Sequence, residues 1–163
     1  MNGFGRLVAL LAAPLNILAV LWVVAGSALW PPVDPGAVSF MRIVVGPVLV
    51  VGLVAATVLI VLQRRRHHAL TTVQASLQIV LWAALFTLGL TVPTLSGGTS
   101  ILLRLTGRSP MTSALSGLLW AGSTIVAWGV GVALLAVLII GLAAKRQHVS
   151  ASRFLTAEHP SVI

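Results

Sequence analysis

The chain has 163 residues, 58% of them hydrophobic and 7% charged, and its mean hydropathy is +1.09; a water-soluble domain does not carry that balance, so the composition predicts an all-α membrane protein. Ten Lys and Arg against two acids give a net charge of +8. These cations are interspersed between long apolar runs, which points to membrane orientation and away from nucleic acid.

About 20 consecutive apolar residues cross the hydrocarbon core of a bilayer. Four segments qualify, 7–29, 43–62, 70–92 and 117–144, and none holds Asp, Glu, Lys, Arg or His. They leave no stretch for a separate soluble domain, so 1–163 reads as one transmembrane domain, a four-helix bundle.

The first segment follows Arg6 and ends near the small residues Ala25, Gly26, Ser27 and Ala28, the outline of a secretory leader. The apolar region of such a leader is only about 7–15 residues, so 7–29 is read as a span. Within it lie Asn16, near the middle, and Pro14, expected to kink the helix. The first outer loop, Trp30 to Arg42, opens with Pro31, Pro32, Val33, Asp34, Pro35 and Gly36, a turn sequence that cannot continue a helix.

The second span contains Pro47, again an expected kink. The inner connection Gln63 to Ala69 is short, which predicts that the second and third spans are antiparallel neighbours. It carries Arg64, Arg65 and Arg66, then His67 and His68, and the arginines are candidate contacts for anionic lipid headgroups.

In the third span Gln74 and Gln78, four residues apart, share one helix face. Gln78 stands at about the depth of Asn16 if the first and third helices run parallel, so the three amides are candidate intramembrane polar contacts. They serve either as interhelical hydrogen-bonding glue or as the lining of a polar path.

The second outer loop, 93–116, is the longest. Ser96, Gly97, Gly98, Thr99 and Ser100 read as an interfacial loop and not as a re-entrant pore segment, because non-helical backbone at membrane depth needs shielding. Beyond it lies an apolar patch of Ile101, Leu102, Leu103 and Leu105, and Ser109 with Pro110 resembles an N-cap followed by a first-turn proline. The fourth helix is therefore expected to begin ahead of its apolar core. Small residues four apart, Ala9 with Ala13, Gly52 with Ala56, Gly117 with Ala121 and Gly129 with Ala133, suit close helix packing within the bundle or between copies. The basic tail 145–163 adds Lys145 and Arg146 to the candidate anionic-lipid contacts.

With the N-terminus inside, seven basic residues fall on the inner side and only Arg42, Arg104 and Arg108 on the outer. The positive-inside rule then puts both termini in the cytoplasm. Weak self-similarity pairs the stretch around Asn16 and Trp22 with that around Gln78 and Trp82, and 59–68 with 139–148. These matches suggest a duplicated two-helix hairpin, two plus two, with parallel repeats.

What the chain lacks narrows its chemistry further. Without cysteine there is no disulfide, thiolate nucleophile or thiolate metal ligand. The two acids, Asp34 and Glu158, fall on opposite sides of the predicted membrane, so no carboxylate pair assembles within one chain. That excludes two-aspartate intramembrane proteases and paired-carboxylate hydrolases, and it disfavours proton- or cation-coupled antiport. His67, His68, His148 and His159 sit among cations at the inner edge, where solvated interfacial roles are favoured over a metal site.

No catalytic, cofactor or metal site is therefore expected. The Ala, Val, Gly and Arg bias, with nine Arg, one Lys and no Tyr, suits a high-GC bacterial genome. The expectation is a non-enzymatic, multi-pass protein of the bacterial cytoplasmic (inner) membrane, a scaffold or accessory subunit of a membrane complex. Its partners would be anionic headgroups on the cytoplasmic side and a second copy or another membrane protein, with no nucleic acid. The alternative is a small uncoupled permease, channel or lipid-handling protein whose polar path runs past Asn16, Gln74 and Gln78.

Overall fold

The computed structural model describes residues 3–26, 36, 39, 41–65, 70–92 and 100–157; the side chains of 41, 64–65 and 144–157 lie outside the description. The elements are α1 (Gly3–Ala25), a single π-helical turn (Met41–Val45) leading into α2 (Gly46–Arg65), α3 (Thr72–Thr91), the short α4 (Ile101–Thr106) and the long α5 (Pro110–Ala157). Four of these helices are long and apolar enough to cross a membrane, over Gly3–Ala25, Arg42–Gln63, Thr72–Thr91 and Pro110–Ala143.

The course of the helices follows from who meets whom. Gly5 of α1 lies against Leu70, Asn16 against Gln78 and Trp82, and Trp22 against Phe86 and Gly89, so α1 and α3 run parallel. Leu81 faces Gly131 and Gln74 faces Gly141, so α5 is antiparallel to α3. Asn16 meets Leu53 and Thr57, and the far end of α2 meets α5 where Gln63 reaches Leu138, so α2 is antiparallel to α1.

Each of α2 and α3 packs on both α1 and α5, and among the described residues they share no extended interface with each other. The expectation that the second and third spans are neighbours is corrected here. Helix α1 nests between them because its inward edge is narrow and small: Gly5, Ala12, Ala19 and Gly26 recur every seven residues, with Val8, Asn16 and Val23 between them, and all are buried.

The core consists of Val8, Ala12, Ala19 and Val23 of α1, Leu53, Ala56 and Ile60 of α2, Ala75, Leu81, Trp82, Leu85 and Leu88 of α3, and Leu134 and Leu138 of α5. Helix α3 is the least apolar of the four long helices and also the most buried, whereas α5 is strongly apolar and the least buried. Water-soluble bundles distribute hydrophobicity the other way round.

Several ends differ from the sequence reading for local reasons. Pro47 lies near the start of its span, in the first turn of α2 directly after the π-helical turn Met41–Val45, and its missing N–H leaves one upstream carbonyl without a helical donor there. Pro14 is inside α1, on its exposed side. Gln63, expected in the connecting loop, is still helical, because α2 continues to Arg65.

The loop expected over 93–116 is partly helix. Ser100 caps α4, and Ser109 accepts from the Thr112 amide at 3.1 Å while its own amide donates to Thr112 Oγ1 at 2.9 Å, starting α5 at Pro110. Residues 93–99, which include Ser96 to Thr99, lie outside the described residues, as do Arg66, His67 and His68 and most of the first outer loop. Of the small-residue pairs, Ala56 is buried, whereas Ala13, Gly117, Ala121, Gly129 and Ala133 are exposed.

Candidate functional site

The bundle's polar centre is Asn16. Its Nδ2 donates to Thr57 Oγ1 at 2.8 Å and, at 3.5 Å, to the Leu53 carbonyl on α2. Its Oδ1 accepts from Gln78 Nε2 at 3.0 Å and Trp82 Nε1 at 2.7 Å on α3. Thr57 Oγ1 passes its own proton to the Leu53 carbonyl at 2.7 Å. One amide thus ties three helices together at mid-bundle, with Asn16 3% and Gln78 0% exposed.

The direction of this network is fixed by chemistry. An indole N–H can only donate, so the Asn16 atom facing Trp82 must be the carbonyl oxygen. That oxygen, facing Gln78 as well, requires Gln78 to present its Nε2, and Gln78 Oε1 is turned away. Gln78 Oε1 is buried and accepts no hydrogen bond.

Gln74 shares a helix face with Gln78 but has a different task. Thr71 Oγ1 accepts from the Gln74 amide at 3.3 Å and Gln74 Oε1 accepts from the Thr71 amide at 3.0 Å, a reciprocal cap that satisfies the start of α3. Its Nε2 reaches toward α5, 3.4 Å from the point a Cβ would occupy on Gly141. Gln63 Nε2 comes within 3.1 Å of that same point and donates to the Leu138 carbonyl at 3.1 Å. The structure therefore brings Asn16 and Gln78 into contact and places Gln74 one turn away, where it and Gln63 both lie against Gly141 of α5.

Sequence reasoning did not single out Thr57, Trp82 or Gln63 as polar contacts. A Thr-x-x-Gln signal at 71–74 was available for the cap. Gln63 is masked in the sequence by the arginine run that follows it.

Toward the other end of the bundle the polar groups are hydroxyls. Ser100 and Ser116 share a 3.0 Å hydrogen bond that pins α4 to α5. Thr91 and Ser123 are buried and bond backbone carbonyls of their own helices. The Trp120 Nε1 atom is buried without an acceptor. Trp22 Nε1 donates to the Phe86 carbonyl at 3.0 Å, with its ring over Gly89.

Of the candidate lipid contacts, Arg64 and Arg65 end α2 and Lys145 and Arg146 lie on α5, their side chains outside the description. Among the described residues no group of three or more His, Asp or Glu could hold a metal. No family model, no curated protein and no solved structure matches this chain.

Proposed function

We propose that the chain is a non-enzymatic, multi-pass protein of a bacterial cytoplasmic membrane, acting as a scaffold or accessory subunit. The supporting observation is that the polar groups of the spans are directed at one another inside the bundle. Asn16 uses both ends of its amide on neighbouring helices, Gln63 donates to the Leu138 carbonyl on α5, and the Gln74 carbonyl caps the start of its own helix. The outward surface is apolar: Ile17, Val51, Leu118, Ile125, Trp128 and Val132 are among its exposed side chains. Such a surface is suited to acyl chains and to other helices.

In this reading both termini are cytoplasmic, supported by the seven-to-three distribution of basic residues. Arg64, Arg65, Arg66, Lys145 and Arg146 then meet anionic headgroups. A duplicated hairpin is in keeping with the parallel course of α1 and α3 and with the meeting of Asn16 and Gln78. Against close equivalence, Trp22 bonds a backbone carbonyl and Trp82 a side chain.

Purification in mild detergent with light crosslinking is expected to yield a self-associated species or a co-purifying membrane protein. A strictly monomeric protein with no partner counts against the scaffold role. A second reading, an uncoupled permease, channel or lipid-handling protein, draws on Gln78 Oε1, the one buried side-chain acceptor without a protein donor among the described residues. Flux in reconstituted liposomes that is unchanged by Asn16→Leu and Gln78→Leu sinks it.

A further inference from the structure

We infer that a single water molecule is held inside the bundle at Gln78 Oε1, linking it to the Gln74 amide. The acceptor cannot be satisfied by turning the amide over. With Nε2 and Oε1 exchanged, two carbonyl oxygens would face each other across Asn16, and Asn16 cannot turn in response because the Trp82 indole N–H needs its oxygen. The unpaired carbonyl is therefore imposed by a donor-only residue one turn along the same helix.

Gln78 is completely enclosed, so the donor it takes must be very small. A buried water needs two or more polar partners, and buried acceptors of this kind are where such waters are found. The second partner is at hand in the Gln74 amide nitrogen, one turn away on the same face. Gly141 lets the amide nitrogens sit against α5, since a Cβ there would stand 3.1 Å from Gln63 Nε2 and 3.4 Å from Gln74 Nε2 and would crowd the Gln74 donor. The water donates to Gln78 Oε1 and accepts from Gln74 Nε2. It thereby joins Gln74, Gln78 and Asn16 into one hydrogen-bonded ladder that runs to the middle of the bundle. This holds independently of the scaffold role.

The test uses the full chain in lipid nanodiscs. Infrared difference spectra in ordinary against oxygen-18 water are expected to show an isotope-sensitive band of a buried water that is lost in Gln78→Met and reduced in Gly141→Ala. Gln78→Met also removes the Nε2 bond to Asn16 Oδ1, so its Tm falls with or without the water, and the isotope-sensitive band is the readout that decides. A parent protein without such a band, or a band that survives in Gln78→Met, overturns the inference.

Discussion

At the scale of single residues the bundle is organised by donors and acceptors that cannot be exchanged. Asn16 satisfies two donors, Gln78 Nε2 and Trp82 Nε1, and is itself 3% exposed. Asn16→Leu leaves both donors without the Asn16 oxygen in the buried centre of the bundle, at roughly 1–3 kcal/mol each. Thr57→Val removes one acceptor while the Leu53 carbonyl stays within 3.5 Å of Asn16 Nδ2, so its cost is closer to that of one interhelical bond, about 0.6 kcal/mol. Unfolding titrations in mixed micelles are therefore expected to rank Asn16→Leu well below Thr57→Val. Equal losses for the two would show that Trp82 and Gln78 do not depend on Asn16.

The Asn16–Gln78 pairing was legible in the sequence, because two amides at equal depth on parallel helices have few other partners. Trp82 was not, because an indole in an apolar run reads as bulk until its N–H is seen to need an acceptor. Gln74 illustrates the limit of periodicity. Spacing put it on the face of Gln78, but the unsatisfied amides at the start of α3 took its carbonyl for a cap.

At the scale of elements the decisive residues are those with the least side chain. A Cβ on Gly89 would lie 2.5 Å from the Trp22 indole, while one on Gly52 would meet nothing within 4 Å. Gly89→Ala is expected to push α1 from α3 or to break the Trp22 bond to the Phe86 carbonyl, at a cost of about 1–3 kcal/mol. Gly52→Ala serves as the control, expected to be neutral or slightly stabilising through its helix propensity. Thermal unfolding with Trp fluorescence reads both; a Gly89→Ala protein that matches Gly52→Ala in Tm and emission would mean that Trp22 does not cover Gly89.

The seven-residue run of Gly5, Ala12, Ala19 and Gly26 is present in the sequence, but in a chain so rich in Ala and Gly it competes with many equally spaced sets. The four-residue pairs that attracted notice on the fourth span, among them Gly117 with Ala121, turn out to be exposed. Spacing identified surfaces capable of close packing, and only the partner helix shows which one is used.

For the whole molecule, length and composition were enough to find four long apolar helices, since helix formation is the only way an isolated apolar run satisfies its backbone in lipid. The arrangement was less accessible. A short connection places two helix ends together but does not make the helices pack along their lengths, and α1 separates α2 from α3 through small residues and Asn16. The 48 residues of α5 span about 70 Å at 1.5 Å per residue, more than twice a hydrocarbon core of about 30 Å. Part of α5 must therefore stand outside any bilayer the bundle crosses.

Because α1 and α3 are parallel and α5 runs against them, Gly3 and Arg108 are at opposite ends of the bundle. Both are exposed, and the chain has no cysteine, so one introduced thiol reports one position without background. With the N-terminus in the cytoplasm, an impermeant maleimide added to intact cells is expected to label Arg108→Cys, and to label Gly3→Cys only after permeabilisation. The reverse pattern inverts the orientation argued from basic residues while preserving the bundle; labelling of both thiols from the same side would contradict a fold in which these two ends face opposite compartments.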